Sequence, residues 1–216
     1  MSHEEWKTRA PYRIHEPNDN FKARYDASCH CGRVTYQLSR EKPLDVKYCH
    51  CTTCQTLHGA PFQWAAIFHK DDINFTNGHH DLVWYDSGEK TTRHKLPCKV
   101  SCAYCRTPIM DEGRNMILLF PSLIHFKGDR GDIQNFEPSC HMFYGRRVVD
   151  IMDGKPKWSG LNNDSELMDE NEHLFGGIRE ETASKALKDN KRTSGNEKRE
   201  PSRRNDTSKR AKINND

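Results

Sequence analysis

Residues 48–62 read Y-C-H-C-T-T-C-Q-T-L-H-G-A-P-F, with Cys49, Cys51 and Cys54 crowded together ahead of His58, Gly59 and Pro61. A C-x-C pair makes a poor internal disulfide, because neighbouring side chains in an extended segment point apart. From a tight loop the same pair can grip one metal ion. Two further clusters answer this one: C-H-C-G at 29–32 and C-A-Y-C at 102–105, while Cys98 and Cys140 stand alone. The chain has 9 cysteines, so intrachain disulfides cannot use them all. Thiolate donors with tetrahedral preference and no redox demand point to zinc.

Structural zinc takes four protein ligands, commonly as two pairs from distant segments. Cys29 and Cys31 with Cys102 and Cys105 would make such a closed set. That leaves Cys49, Cys51 and Cys54, and three thiolates leave one position vacant, as catalytic sites do. Spacing alone also permits another partition. Cys29, Cys31, Cys49 and Cys51 could share one ion, with Cys54, Cys98, Cys102 and Cys105 on a second. His50, His58 or Cys98 could equally complete the triad and close it.

Working outward, R-V-T-Y-Q-L (33–38), P-F-Q-W-A-A-I-F (61–68), D-L-V-W-Y-D-S (81–87) and N-M-I-L-L-F (115–120) have strand length and strand residue types. No stretch here sustains a helical period over three turns, so the fold expected is mostly β. Only 34% of residues are hydrophobic against 30% charged, too few to pack the chain along its whole length. The expected organisation is a polar arm over 1–25, a zinc-binding β domain over 26–160, and a polar, basic tail over 161–216, partly helical and then disordered. From residue 181 onward, 11 Lys or Arg face 6 Asp or Glu, so this segment alone is near +5 against +3 for the whole chain. Lys198-Arg199 and Lys209-Arg210-Ala211-Lys212 resemble a two-part nuclear import signal. The tail has no interleaved aromatics to stack on bases, so contact with nucleic acid would be weak and nonspecific. Neither a signal-peptide pattern at the start nor an apolar run of membrane-spanning length is seen. The expectation is an intracellular protein, cytoplasmic or nuclear, not secreted, with reduced thiols.

Four stretches carry a resemblance: S-C-H-C-G-R-V-T-Y (28–36), Y-C-H-C-T-T-C-Q followed by G-A-P-F, S-C-A-Y-C with T-P two residues on, and H-M-F-Y-G-R-R-V-V-D-I-M-D-G-K-P (141–156). Together they resemble the glutathione-dependent formaldehyde-activating enzyme and centromere protein V family, over residues 26–158. The resemblance implies an Mss4-like β-tent fold, a structural zinc on Cys29, Cys31, Cys102 and Cys105, and a second zinc on Cys49, Cys51 and Cys54 where glutathione chemistry occurs. The chain departs from the family at Gln55, where Arg is frequent, at His58, where a small residue is common, and at Arg106, where Gly is common.

A zinc held by three thiolates suits the binding of a fourth sulfur as thiolate. The function expected is therefore a zinc-dependent carbon–sulfur lyase acting on a glutathione adduct, of the S-hydroxymethylglutathione type or a bulkier thioether. His58 is the candidate proton donor, against the plainer reading of a hydrogen-bonding residue beside a glycine turn. His50, between two ligands, should point away from the metal. The rival expectation is a non-catalytic module with both zincs structural, its tail directing it to the nucleus or chromatin.

Overall fold

In the computed structural model, ten short strands build two sheets; it describes residues 12, 14, 15, 20–128 and 130–168. The described residues lie in the first of two units, which ends at Glu172. The tail beyond residue 168 with its import-like clusters, and most of the polar arm, lie outside them.

The smaller sheet has three strands in the order β1 (Tyr25–Ser28), β2 (Thr35–Leu38), β5 (Ile73–Asn77). The larger has seven: β10 (Cys140–Met142), β3 (Asp45–Cys49), β4 (Gln63–His69), β9 (Met116–Leu119), β8 (Pro108–Glu112), β7 (Cys98–Cys102) and β6 (Leu82–Tyr85). Among the described strands β10 and β3 pair in parallel, and the other strand pairs are antiparallel. The mostly-β expectation holds, and each of the four apolar runs contains a strand.

Period-two alternation explains the layering. Tyr36 and Leu38 of β2, Phe75 of β5, Phe68 of β4, Val100 of β7 and Leu119 of β9 enter one continuous apolar cluster that both sheets feed. Full burial of each such side chain stabilises by about 1.5–3 kcal/mol. Tyr12, in the expected arm, belongs to the same cluster and stacks on Phe75 with ring centroids 5.3 Å apart.

Among the described residues there are two α-helices, α1 (Thr52–His58) and α2 (Arg130–Gln134), and neither is long and apolar enough to cross a membrane. Helix α1 starts where β3 ends, at the cysteine triad. It is closed by Gly59 at φ 58°, whose N–H bonds the Gln55 carbonyl, a left-handed cap that glycine adopts without steric penalty.

Candidate metal centres and the adjoining pockets

Cys29 follows β1, and the chain turns back at once: Gly32 N–H bonds the Cys29 carbonyl at 3.0 Å, and the Val34 N–H points at Cys29 Sγ at 3.3 Å. Cys102 ends β7 and the chain turns again, with Arg106 N–H on the Cys102 carbonyl at 3.0 Å. These two turns meet. The sulfurs of Cys29, Cys31, Cys102 and Cys105 all lie within 4.8 Å of one another. Cys29 and Cys31 are 3.5 Å apart, and Cys31 and Cys102 are 3.9 Å apart. All are free thiols, too far apart to be disulfides. A tetrahedral ion at about 2.3 Å from each sulfur would set them roughly 3.8 Å apart, so the donor set fits such an ion in chemistry and in size.

The second group is local. Cys49 closes β3, in register with Gln63 of β4 and Met142 of β10. Cys51 is the N-cap of α1, its sulfur accepting the Cys54 N–H at 3.4 Å, and Cys54 sits buried one turn in. The three sulfurs lie within 4.8 Å of one another, and among the described residues no fourth His, Cys, Asp or Glu joins them. Hydrogen bonds from the Cys49 and Cys54 thiols hold Cys51 well below the usual thiol range. Cys49 is pushed up by its hydrogen bond with Cys51, and Cys54 by those with Cys49 and Cys51. Three converging sulfur donors fit a thiophilic cation here too.

The structure separates the alternative partitions. Cys98 stands at the opposite end of β7 from Cys102, away from both groups. His50 turns from the triad, its Nε2 2.9 Å from Nδ1 of His141, whose own Nε2 lies 3.0 Å from Asp153. Gln55 donates to the carbonyls of His50 (2.7 Å) and Arg146 (2.8 Å), tying α1 to the 144–146 turn.

Several residues at this site carry no sequence signal. Gln63 accepts the Cys54 thiol at 2.8 Å and donates to Asp111 Oδ2 at 2.7 Å, and the same oxygen takes Lys99 Nζ at 2.5 Å. The triad thus connects through one amide to an ion pair on the β7–β8 hairpin. His58 lines two pockets. One, of about 260 Å³, is walled by Phe62, Gln63, Trp64, Phe120 and Leu123. The other, of about 160 Å³, is lined by Tyr85, Lys99, Ser101, Arg106 and Asp111. His58 Nε2 is buried with no hydrogen-bond partner. Burial first, then the Lys99 charge, lower its pKa, favouring neutral imidazole.

A third group, His94, Cys98 and Glu112, also falls within 4.8 Å. Here the carboxylate is already engaged: Lys70 Nζ lies 2.9 Å from Oε1, and both Tyr12 OH and His94 Nε2 lie 2.8 Å from Oε2. Burial, then the Glu112 charge, push the Cys98 thiol up to about 12, so it stays protonated. Through these contacts the group forms a buried polar knot centred on Glu112.

Comparison with known proteins agrees with the cysteine pattern. No curated protein matches the chain. A crystal structure of a Rhodobacter sphaeroides protein, a structural-genomics target, aligns at 19% identity and a TM-score of 0.37, covering 50% of this chain and 94% of that one. Residues 24–146, more than half of the chain and including all seven cysteines of the two sulfur groups, match the profile described as glutathione-dependent formaldehyde-activating enzyme. The chain belongs to the glutathione-dependent formaldehyde-activating enzyme family.

Proposed function

We propose that the protein is a zinc-dependent carbon–sulfur lyase acting on glutathione adducts. Cys29, Cys31, Cys102 and Cys105 hold a closed structural zinc, and Cys49, Cys51 and Cys54 hold an open one. The observation that carries this reading is the difference in donor number: four converging sulfurs at one centre, three at the other with no fourth His, Cys, Asp or Glu among the described residues. A zinc on three thiolates, with a net charge of about −1, supplies a centre that keeps a fourth sulfur ionised at neutral pH.

The chain's own residues supply the rest. Gln63 lies beside Cys54 at the edge of the triad, and Asp111 holds its amide in place. His58, neutral and with Nε2 unpartnered, takes the hydroxyl proton of a hemithioacetal adduct. The oxygen's electron pair becomes the carbonyl bond, the carbon–sulfur bond opens, and sulfur leaves as thiolate with the bonding pair. In the reverse direction the protonated imidazole returns its proton to the carbonyl oxygen as thiolate attacks carbon. A group in this role contributes about 10²–10⁴ in rate.

The test is Cys51→Ala beside His58→Gln, assayed on S-hydroxymethylglutathione with folding followed by circular dichroism. Cys51→Ala should abolish turnover and keep a folded domain; His58→Gln should slow turnover by about 10²-fold or more without altering the fold. If Cys51→Ala instead unfolds the domain as completely as Cys29→Ala does, both ions are structural and the lyase reading fails.

A further inference from the structure

The two pockets beside the triad share His58 and Pro108 but differ in chemistry. Phe62, Trp64, Phe120 and Leu123 make the first apolar. Its volume of about 260 Å³ is far more than a hydroxymethyl group needs, since a water molecule's share of liquid is about 30 Å³. Gln63, which accepts the Cys54 thiol, is one of its walls, so the apolar space begins beside the sulfur centre.

The second pocket is built for charge. Arg106 and Lys99, the latter already paired with Asp111 Oδ2, supply two cations, and Asp111 Oδ1 is buried with no hydrogen-bond partner. Arg106 makes no ion pair among the described residues and is held at φ 62°, a left-handed conformation that costs a residue with a side chain about 1–2 kcal/mol. Glycine would avoid that cost, so an exposed arginine here needs a use beyond the turn. A γ-glutamyl peptide offers carboxylates to the two cations and an ammonium to the vacant Asp111 oxygen.

We infer that the favoured ligands are glutathione adducts whose sulfur carries an apolar substituent of several carbons, seated against Phe62, Trp64, Phe120 and Leu123, with the peptide's charged groups on Lys99, Arg106 and Asp111. The inference rests on the proposed glutathione site. It assigns the specificity of that site to the apolar pocket and moves the preferred substrate away from the formaldehyde adduct.

The experiment is calorimetric titration of the zinc-loaded full chain with glutathione, S-methylglutathione and S-benzylglutathione. The two thioethers share a peptide and a blocked sulfur, so their difference reads the pocket alone. S-Benzylglutathione should bind at least tenfold tighter than S-methylglutathione. Leu123→Trp, which fills the pocket, should erase that difference. Arg106→Gly should weaken all three ligands alike. If glutathione binds but the thioethers bind equally, the apolar-substituent inference is overturned and the proposed site stands. If none of the three binds, both fall.

Discussion

Cys102→Ser should abolish cooperative folding of the domain, whereas Cys51→Ala should leave it folded. The reason lies in what each group of sulfurs ties together. Cys31 and Cys102 are 71 residues apart in the chain. Cys29 follows a strand of the three-stranded sheet, and Cys102 ends a strand of the seven-stranded one. An ion on these four sulfurs therefore bridges the two sheets and closes a long loop. The triad spans only residues 49–54, at one strand end and the first turn of α1, so an ion there closes almost nothing. Loop-closure entropy favours the first crosslink over the second. A structural zinc in a small domain has an apparent binding free energy of about 10–16 kcal/mol. A whole domain is stable by only about 5–15 kcal/mol. Losing one ligand of the bridging ion should remove most of the margin. The readout is the thermal unfolding transition with zinc content measured on the same sample: no cooperative transition for Cys102→Ser, a retained one for Cys51→Ala. A shift below about 3 °C in Cys102→Ser, the size of a change near 1 kcal/mol in a domain of this length, would contradict the bridging role.

That contrast also marks how far the sequence could be read. The thiols were legible because metal chemistry demands sulfur at short spacing, and the strands because apolar residues alternate. Which C-x-C belonged with the C-x-x-C was not legible from spacing, since the answer depends on β1 ending beside the end of β7. The supporting residues were hidden for a related reason. Gln63 is the cross-strand partner of Cys49, Asp111 that of Lys99, and Glu112 that of Cys98. Each contact is a consequence of register. In the β7–β8 hairpin the C-A-Y-C turn would set that register by simple counting, but a shift between Val100 and Ser101 displaces the pairing by a residue. Counting outward from the turn therefore mispairs Lys99 and Cys98. His94 belongs to no strand or motif at all, and reaches Glu112 only in the folded chain.

Glu112→Ala should destabilise the domain by about 3–5 kcal/mol, the typical effect of breaking a buried ion pair by removing one partner. The side chains of Lys70 and Glu112 are 4% and 1% exposed, so the pair is held away from water. Tyr12 and His94 would lose their shared acceptor as well, and the hydroxyl of Tyr12, which also accepts the Trp84 indole N–H at 2.8 Å, would lose the acceptor of its own proton. The loss spreads across the fold because the partners come from separate places: the segment before β1, the turn after β4, the loop before β7, and β8 itself. Most of the effect is the desolvation penalty on the buried groups that lose Glu112 rather than the net value of the pair. Glu112→Leu combined with Lys70→Met removes both charges at once, and should recover more than half of what Glu112→Ala loses. Chemical denaturation of the two variants beside the unaltered protein reads this directly. An alanine variant within about 1 kcal/mol of the unaltered protein would mean that the contacts on Glu112 do not hold these segments together.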